Sequence, residues 1–237
     1  MQRRNIEVVL SPLLLPLVDL TGKTVVVIDI LRATSTICAA LHNGAKSVRP
    51  VISTEDALTH VGRNTMVAGE RNGEKVDGFD FGNSPTEYAP DMVAGKKVVL
   101  TTTNGTKCIH ASMAAREIMV GSFFNLDVLV DYLSTCPNDV VLFCSGWKNR
   151  VNLEDTLFAG YVAHSLKDSH DWNGDEVELA MDLMFKAQAD PLDYLTKASH
   201  AQRFTRLGNH EDLDICMQFN KYPALVKYTD GVLINMA

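Results

Sequence analysis

Runs of apolar residues recur along the chain, and each is followed by a polar stretch and then by apolar residues at helical spacing. The pattern is complete at 24–45 (TVVVIDILRATSTICAALHNGA), 96–115 (KKVVLTTTNGTKCIHASMAA) and 139–166 (DVVLFCSGWKNRVNLEDTLFAGYVAHSL). Shorter apolar runs at 6–10 and 65–70 predict further strands. Strands that are buried on both faces of a parallel sheet are continuously apolar rather than alternating. The pattern therefore predicts an α/β fold with a largely parallel sheet.

The last third of the chain changes to helical spacing. The stretch 175–188 (DEVELAMDLMFKAQ) has a helical pattern, Pro191 is typical of a helix start, and no Gly/Ser-rich linker separates this region from the rest. We expect a single α/β domain over 1–237, in which 171–237 is a mainly helical part packed on the sheet. Its Met-rich helices would serve as core or as the surface of a homodimer.

Charge and cysteine usage exclude several classes of protein. The formal net charge is -7 at pH 7 and no Lys/Arg cluster stands out, so we expect neither a nucleic-acid nor a membrane-surface partner. The five cysteines are scattered, mostly within apolar runs, and are typical of reduced core thiols in a cytoplasmic protein. No CxxC pair or histidine spacing indicates a zinc site.

Polar side chains follow several of the predicted strands. Because ligands bind at the carboxyl ends of parallel strands, these residues are candidates for one site. They are Asp29, Arg32, Thr34, Ser35, Glu70, Arg71, Thr101, Thr102, Thr103, Asn104, Gly105, Thr106, Ser145, Gly146, Lys148, Arg150, Glu154 and Asp155.

Purely structural roles account for part of this set. The hydroxyls at 34–36 and 103–106 are typical helix caps, and Asn104-Gly105 is a common turn dipeptide. The segment 83–87 (NSPTE) has the pattern of a capping box. Asp29 is different, because a carboxylate that closes an apolar run is costly to bury unless a cation or donors meet it. It would pair with Arg32, bind a metal ion or act as a catalytic acid.

Four acids at one sheet edge repel each other unless a cation lies between them. Asp29, Glu70, Glu154 and Asp155 offer only oxygen ligands, which suit Mg²⁺, an ion that readily takes a phosphate as a further ligand. The residues themselves therefore predict magnesium-assisted phosphoryl chemistry.

Several blocks together resemble the 2-phosphosulfolactate phosphatase (ComB) family, in the same order. These are DILRATSTICAALHNGA, GERNG followed by GFDFGNSP, TTTNGT, NLEDTLFAG and the C-terminal SHAQRFTRLGNHEDLDICMQF. The resemblance covers almost the whole chain. It implies a three-layer α/β/α fold and a magnesium-dependent hydrolase that converts 2-phospho-3-sulfolactate to 3-sulfolactate and phosphate, a step toward coenzyme M in some organisms.

That substrate agrees with the polar inventory, because it carries phosphate, sulfonate and carboxylate groups. We expect Mg²⁺ to be held by Asp29, Glu70, Glu154 and Asp155, and catalysis to involve Asp29, Arg32, Glu70, Arg71 and Asp155. The expected substrate-binding residues are Thr34, Ser35, Asn83, Ser84, Thr102, Thr103, Asn104, Gly105, Thr106, Gly146 and Lys148. The amides of the 102–106 loop would receive phosphate oxygens at a helix N-terminus.

Two mechanisms and two rival functions stay open at this point. Water could attack phosphorus in line, or Asp29 could form an aspartyl-phosphate, although Leu31 stands where haloacid dehalogenases have a second Asp. Cys144 and Arg150 have the C-x5-R spacing of cysteine phosphatases, which would need no metal. The second rival function is a regulatory module that binds phosphate or sulfonate without catalysis. Acids beside the anion argue against this module, because they would repel it.

Overall fold

The protein is described by a computed structural model that covers residues 3–206 and 210–236. The strands are β1 (Arg4–Val9), β2 (Thr24–Ile28), β3 (Ser47–Val51), β4 (Thr65–Arg71), β5 (Glu74–Lys75), β6 (Lys97–Thr101), β7 (Glu117–Gly121), β8 (Val140–Cys144), β9 (His170–Asp171), β10 (Val226–Thr229) and β11 (Val232–Asn235). The α-helices are α1 (Ala33–His42), α2 (Thr54–Thr59), α3 (Pro90–Val93), α4 (Gly105–Ala111), α5 (Leu126–Thr135), α6 (Leu153–Ser165), α7 (Asp175–Ala187), α8 (Pro191–Thr196), α9 (Ser199–Arg206) and α10 (His210–Cys216). Short 3₁₀-helices span Pro12–Leu17, Pro85–Glu87 and Phe123–Asn125.

All these strands belong to a single mixed sheet of 11 strands in the order β5-β4-β6-β3-β11-β10-β7-β2-β8-β1-β9. It contains two parallel groups. In the first, β6 pairs with β3 and β4, and in the second, β2 pairs with β7 and β8 while β8 also pairs with β1. The strand-end loops of each group therefore lie along one edge, as the sequence predicts.

The central strand β2 shows why its sequence is continuously apolar. Its five residues are all buried. Val26 and Ile28 pack in a core with residues of α5, α6 and α7, whereas Val25 and Val27 pack in a second core with residues of α1 and α4. Helices cover both faces, which confirms the predicted three-layer α/β/α fold.

The C-terminal hairpin is the main feature that the sequence analysis did not predict. Strands β10 and β11 lie within the sheet, where β10 pairs antiparallel with β7 and β11 pairs antiparallel with β3. Asp230 and Gly231 at its turn both have positive φ (51° and 83°), as a two-residue type I′ turn requires. The Asp-Gly dipeptide between apolar residues was therefore a readable signal for this hairpin.

Helix α4 brings the loops of the two parallel groups together. It contacts β2 as well as β3 and also packs against α1. Its first residue, Gly105, lies so close to Asp29 that an added Cβ would be 2.8 Å from the Asp29 carboxylate. The loops after β2 and β6 therefore meet, although several strands separate β2 from β6 in the sheet.

None of the helices that the structure describes combines the length and apolar character that crossing a bilayer requires.

Candidate active site

A pocket with a volume of about 100 Å³ opens where these loops meet. Its wall comes from the ends of β2, β4 and β6, from the loop after β8 and from α9 near the C-terminus. The lining residues are Asp29, Leu31, Arg32, Glu70, Asn72, Gly73, Asn83, Thr102, Thr103, Asn104, Trp147, Lys148, His200, Arg203 and Phe204. The structure thus gathers many of the predicted site residues into a single concave site.

Asp29 lies at the base of this pocket, directly after β2. Its backbone is fixed by two hydrogen bonds with Thr34: the Asp29 amide donates to Thr34 Oγ1 (3.0 Å), and the Thr34 amide donates to the Asp29 carbonyl (3.0 Å). Burial of the carboxyl raises its pKa to about 6, the charge of His200 opposes that rise, and Glu70 adds to it. The protein therefore holds a carboxylate where its charge is unfavourable without a cation.

Glu70 joins two of the loops that form the pocket. Its Oε1 accepts a hydrogen bond from the Thr103 amide (2.6 Å), and its Oε2 accepts one from the Gly73 amide (2.6 Å). Each carboxylate oxygen has further acceptor capacity, so these bonds fix Glu70 without using up its lone pairs. Glu70 is therefore a rigid acid facing the pocket.

The loop at 102–106 is partly a helix cap. Thr102 and Thr106 exchange hydrogen bonds, since the Thr106 amide donates to Thr102 Oγ1 (3.1 Å) and the Thr102 amide donates to Thr106 Oγ1 (3.2 Å). Among the residues that the structure describes, the amides of Asn104 and Gly105 have no acceptor and the buried Thr103 hydroxyl has no partner. Capping accounts for the two outer threonines but not for the centre of the loop.

These groups fit a magnesium ion of the kind that binds with substrate. Mg²⁺ in phosphoryl-transfer sites is held by one or two carboxylates together with substrate phosphates and water. Asp29 and Glu70 supply two carboxylates in one pocket. No cluster of three or more acidic, histidine or cysteine side chains suited to a metal occurs in the described part of the chain. The structure therefore favours a two-carboxylate site over the expected four acids.

Asp155 lies behind the pocket rather than in its wall. Its Oδ1 accepts from the Ile30 amide (2.9 Å), and its Oδ2 accepts from the Ser145 hydroxyl (3.1 Å), the Gly146 amide (3.1 Å) and the Asn152 side chain (3.0 Å). Burial, together with the nearby acids, raises its pKa well above the usual value. Asp155 therefore ties the loops after β2 and β8 together, and these contacts do not favour its predicted metal and catalytic roles.

Glu154 is also buried but points elsewhere. Its Oε1 accepts a hydrogen bond from Asn152 Nδ2 (2.9 Å) and lies 2.5 Å from His200 Nδ1. Its Oε2 has no hydrogen-bond partner within the described residues. Glu154 lines an adjoining pocket that shares Trp147, Lys148 and His200 with the first. The structure therefore pairs Glu154 with a histidine rather than with the other acids.

Arg32 enters the pocket, and its partner is not Asp29. The guanidinium forms an ion pair with Asp212 of α10, donates to the Gly73 carbonyl (2.9 Å) and lies over the Phe204 ring at 5.2 Å. Ser84 also donates to Asp212. The C-terminal helices thus orient this arginine.

His200 is one of the pocket residues that the sequence analysis did not single out. Its ring stacks on Trp147, with centroids 5.0 Å apart, and Lys148 and Arg203 lie over the same indole at 4.7 and 5.9 Å. Arg203 also donates to the Asn72 carbonyl. The only sequence signal for His200 and Arg203 was the family-like block SHAQRFTRLGNHEDLDICMQF.

The other predicted residues divide between the pocket and its frame. Asn83, Thr102, Thr103, Asn104 and Lys148 line the pocket, and Ser84 lines the neighbouring cavity beyond Arg32. The frame includes Thr34, Thr106, Gly146 and Ser35, whose hydroxyl donates to the Ile30 carbonyl (2.9 Å). Arg71 points away, because it donates to the Glu70 carbonyl (2.7 Å) and to Thr101 Oγ1 (2.9 Å). These contacts do not favour its predicted catalytic role.

The cysteine alternative lacks a reactive thiol. Cys144 is fully buried in a hydrophobic core, and burial raises the pKa of its thiol well above the usual value. Arg150 lies in the adjoining pocket and not in the one that holds Asp29. A nucleophilic thiolate would need exposure and a lowered pKa.

Comparison with known proteins agrees with this site. A sequence model of the family described as 2-phosphosulpholactate phosphatase matches residues 9–231. The chain belongs to this family. It is similar to proteins named "Probable 2-phosphosulfolactate phosphatase" from Thermotoga maritima (41% identical, covering 90% of this chain and 92% of the relative) and Caldanaerobacter subterraneus subsp. tengcongensis (38%, 91% and 91%). A relative of the same name from Clostridium acetobutylicum is 36% identical over 90% of this chain and 92% of its own length. The predicted family is therefore confirmed, and the matched region includes every residue of the pocket.

Proposed function

We propose that this chain is a magnesium-dependent phosphatase that hydrolyses 2-phospho-3-sulfolactate to 3-sulfolactate and phosphate. Its relatives are named for this activity. The observation that carries the proposal is the meeting of two fixed carboxylates, Asp29 and Glu70, with the cations of Arg32, Lys148 and Arg203 in a single pocket. A site for a polyanion alone would not need the acids, which would repel it.

Asp29 and Glu70 would hold the magnesium ion. Bound there, it would supply positive charge beside the phosphoryl oxygens and offset the cost of burying two acids. The hydroxyl of Thr103 and the amides of Asn104 and Gly105 would then donate to phosphoryl oxygens. This arrangement explains why an anion-binding loop lies against Asp29.

The cations of the pocket match the remaining charges of the substrate. Lys148 and Arg203 lie over Trp147, and Asp212 holds Arg32. Sulfonate and carboxylate groups are bound well by such directed N–H donors. We propose that these three cations orient the substrate so that its phosphoryl group faces the 102–106 loop.

The hydrolysis step follows from this orientation. A water molecule attacks phosphorus on the side opposite the leaving oxygen, and Asp29 accepts a proton from it. Glu70 is the poorer base, because both of its oxygens already accept amide hydrogen bonds.

The test is phosphate release from racemic 2-phosphosulfolactate by protein stripped with EDTA and then restored with Mg²⁺. We expect activity only with Mg²⁺, loss of at least 100-fold in Asp29→Asn, and retention in Cys144→Ser. The same assay with 2-phospholactate, which lacks the sulfonate, measures what the sulfonate contributes to kcat/KM.

Three outcomes would contradict the proposal. Activity without metal that vanishes in Cys144→Ser would support the thiolate route. Binding of the substrate without phosphate release would indicate a regulatory module. Equal kcat/KM for 2-phospholactate would remove the assigned substrate while leaving a phosphatase.

The setting of the enzyme is part of the same proposal. We propose that it acts in the cytoplasm in coenzyme M biosynthesis or a related route of sulfonate metabolism, and that it forms a homodimer. Light scattering of the purified protein would check the dimer, because it measures molar mass directly.

A further inference from the structure

His200 is held in one orientation by contacts on three sides. Its Nδ1 lies 2.5 Å from Glu154 Oε1, its ring stacks on Trp147 with an interplanar angle of 17°, and Phe204 contacts it edge-on at 5.2 Å. The side chain is buried, with 7% exposed. With Nδ1 engaged, only Nε2 remains to interact with a molecule in the pocket.

Glu154 sets the hydrogen-bonding state of this ring. It lies on the first turn of α6, and its side chain is 1% exposed. A buried carboxylate requires a donor or a positive charge, and His200 Nδ1 with Asn152 Nδ2 supplies the donors to Oε1. Nδ1 therefore donates to Glu154, and Nε2 is the ring nitrogen left to interact with a ligand.

The ring shares its pocket with charged groups. Asp29, Glu70, Arg32, Lys148 and Arg203 line the same pocket as His200, and Asp29 interacts electrostatically with it. Glu154 and Trp147 account for Nδ1 and for the plane of the ring, but no hydrogen bond within the described residues accounts for Nε2. A proton donor directed at the substrate accounts for it.

We propose that His200 protonates the leaving oxygen during hydrolysis and that Glu154 is the positioning residue that orients it. The proposal rests on the phosphatase function proposed above. Water oxygen forms a bond to phosphorus as the bond between phosphorus and the ester oxygen breaks, and the electron pair of that bond goes to the ester oxygen. The Nε2 proton of His200 moves to that oxygen, and the ring is reprotonated from solvent after product release. A secondary alkoxide is a poor leaving group, so this proton has a large effect.

The experiment compares two leaving groups in the same variants. For His200→Gln we expect kcat on 2-phosphosulfolactate to fall by about 10²–10⁴-fold, and kcat on p-nitrophenyl phosphate to fall much less, because nitrophenolate departs without a proton. In Glu154→Gln, kcat should also fall more on 2-phosphosulfolactate than on p-nitrophenyl phosphate, but by a smaller factor than in His200→Gln. His164→Gln, on the far end of α6 and outside the pocket, is the matched control and should leave both rates unchanged.

Two measurements guard against misfolding. Far-UV circular dichroism checks the folding of His200→Gln and of a second variant, His200→Asn, and a folded variant should also retain its activity on p-nitrophenyl phosphate. An equal loss of kcat on both substrates in His200→Gln, or no loss on either, would overturn the proposal. So would a greater loss on 2-phosphosulfolactate than on p-nitrophenyl phosphate that occurs in Asp29→Asn but not in His200→Gln. If the wild type hydrolyses 2-phospholactate but not 2-phosphosulfolactate, the assigned substrate fails, and the leaving-group comparison still tests His200 on the alkyl ester that is hydrolysed. A wild-type protein that hydrolyses no alkyl phosphate would overturn both the proposed phosphatase function and the role of His200.

Discussion

Replacing Asp29 with Asn should make the metal-free protein more stable at neutral and alkaline pH while abolishing activity. The folded protein raises the pKa of Asp29 to about 6, chiefly through burial, so ionising this group is harder in the folded than in the unfolded chain. Between these two pKa values the folded state binds the extra proton. Stability from this group is therefore present at low pH and lost as pH rises from about 4 to 7.

The magnitude follows from the size of the shift. A change from 3.8 to about 6 corresponds to about 3 kcal/mol at pH 8, since one pKa unit is worth about 1.4 kcal/mol. The pKa of about 6 already includes the hydrogen bonds from Ala33 and Ser145 that favour the charged form. Part of the gain is lost in the Asp29→Asn variant, because the Asn amide replaces one acceptor oxygen with a donor. We expect a net gain of about 1–3 kcal/mol, or about 3–9 °C in Tm for a chain of this size.

Thermal unfolding in EDTA at pH 8 and pH 4.5 measures this difference. The Asp29→Asn variant should unfold at a higher temperature than wild type at pH 8, and the gap should shrink at pH 4.5. Mg²⁺ should then stabilise the wild type by mass action and have little effect on Asp29→Asn. Glu70→Gln is the contrasting variant and should be destabilised at both pH values. Both carboxylate oxygens of Glu70 accept hydrogen bonds from backbone amides, and the substitution replaces one of these oxygens with an NH₂ donor.

A lower Tm for Asp29→Asn than for wild type at pH 8 in EDTA would refute this reasoning. It would mean that the hydrogen bonds to the carboxylate outweigh the cost of burying its charge. Equal stabilisation of both proteins by Mg²⁺ would place the ion elsewhere.

Three further predictions concern the frame of the site and the fold. Burial lowers the pKa of His170 to about 4, so stability should fall as pH drops from 6.5 to 4, by up to about 3 kcal/mol, and His170→Gln should show a smaller loss in urea titrations at the two pH values. Gly105→Ala would place a Cβ 2.5 Å from the Ala33 side chain, so we expect destabilisation by about 1–3 kcal/mol and a fall in kcat, measured by denaturation and phosphate release. Asp212→Asn would leave Arg32 without its carboxylate, and substrate KM should rise about 10-fold in steady-state kinetics while Mg²⁺ dependence is retained.

The parts of the molecule that the sequence predicts well are local ones. A strand, its polar loop and the following helix are contiguous, so β2 with Asp29 and α1, or β6 with Thr102 and α4, can be read directly from periodicity. Placement at one sheet edge then follows from parallel pairing. These rules place Asp29, Glu70 and the 102–106 loop at one sheet edge, whereas their meeting also depends on α4, which spans the strands between β2 and β6.

The parts that could not be predicted depend on contacts between distant residues. Arg32 pairs with Asp212 of α10, and Glu154 pairs with His200 of α9. Both partners lie in C-terminal helices, outside the strand-loop-helix pattern. Local pattern assigns each of these residues to an element, but the partner depends on how the C-terminal helices pack. An Asp29–Arg32 pair was a reasonable interpretation locally and differs from the structure for this reason.

The four strand-end acids show why counting carboxylates at a sheet edge overestimates a metal site. Donors surround Asp155 on both oxygens, and Glu154 faces a histidine, so each of the two has a role in the protein itself. Glu70 accepts two amides but still faces the pocket, and Asp29 retains an unfavourable buried charge. An acid that is enclosed by protein groups offers a cation no approach, whereas a buried acid in the wall of a pocket gains from one. Access to the pocket, rather than the number of acids, is therefore the feature that marks Asp29 and Glu70 as the place where a divalent ion and its phosphate would bind.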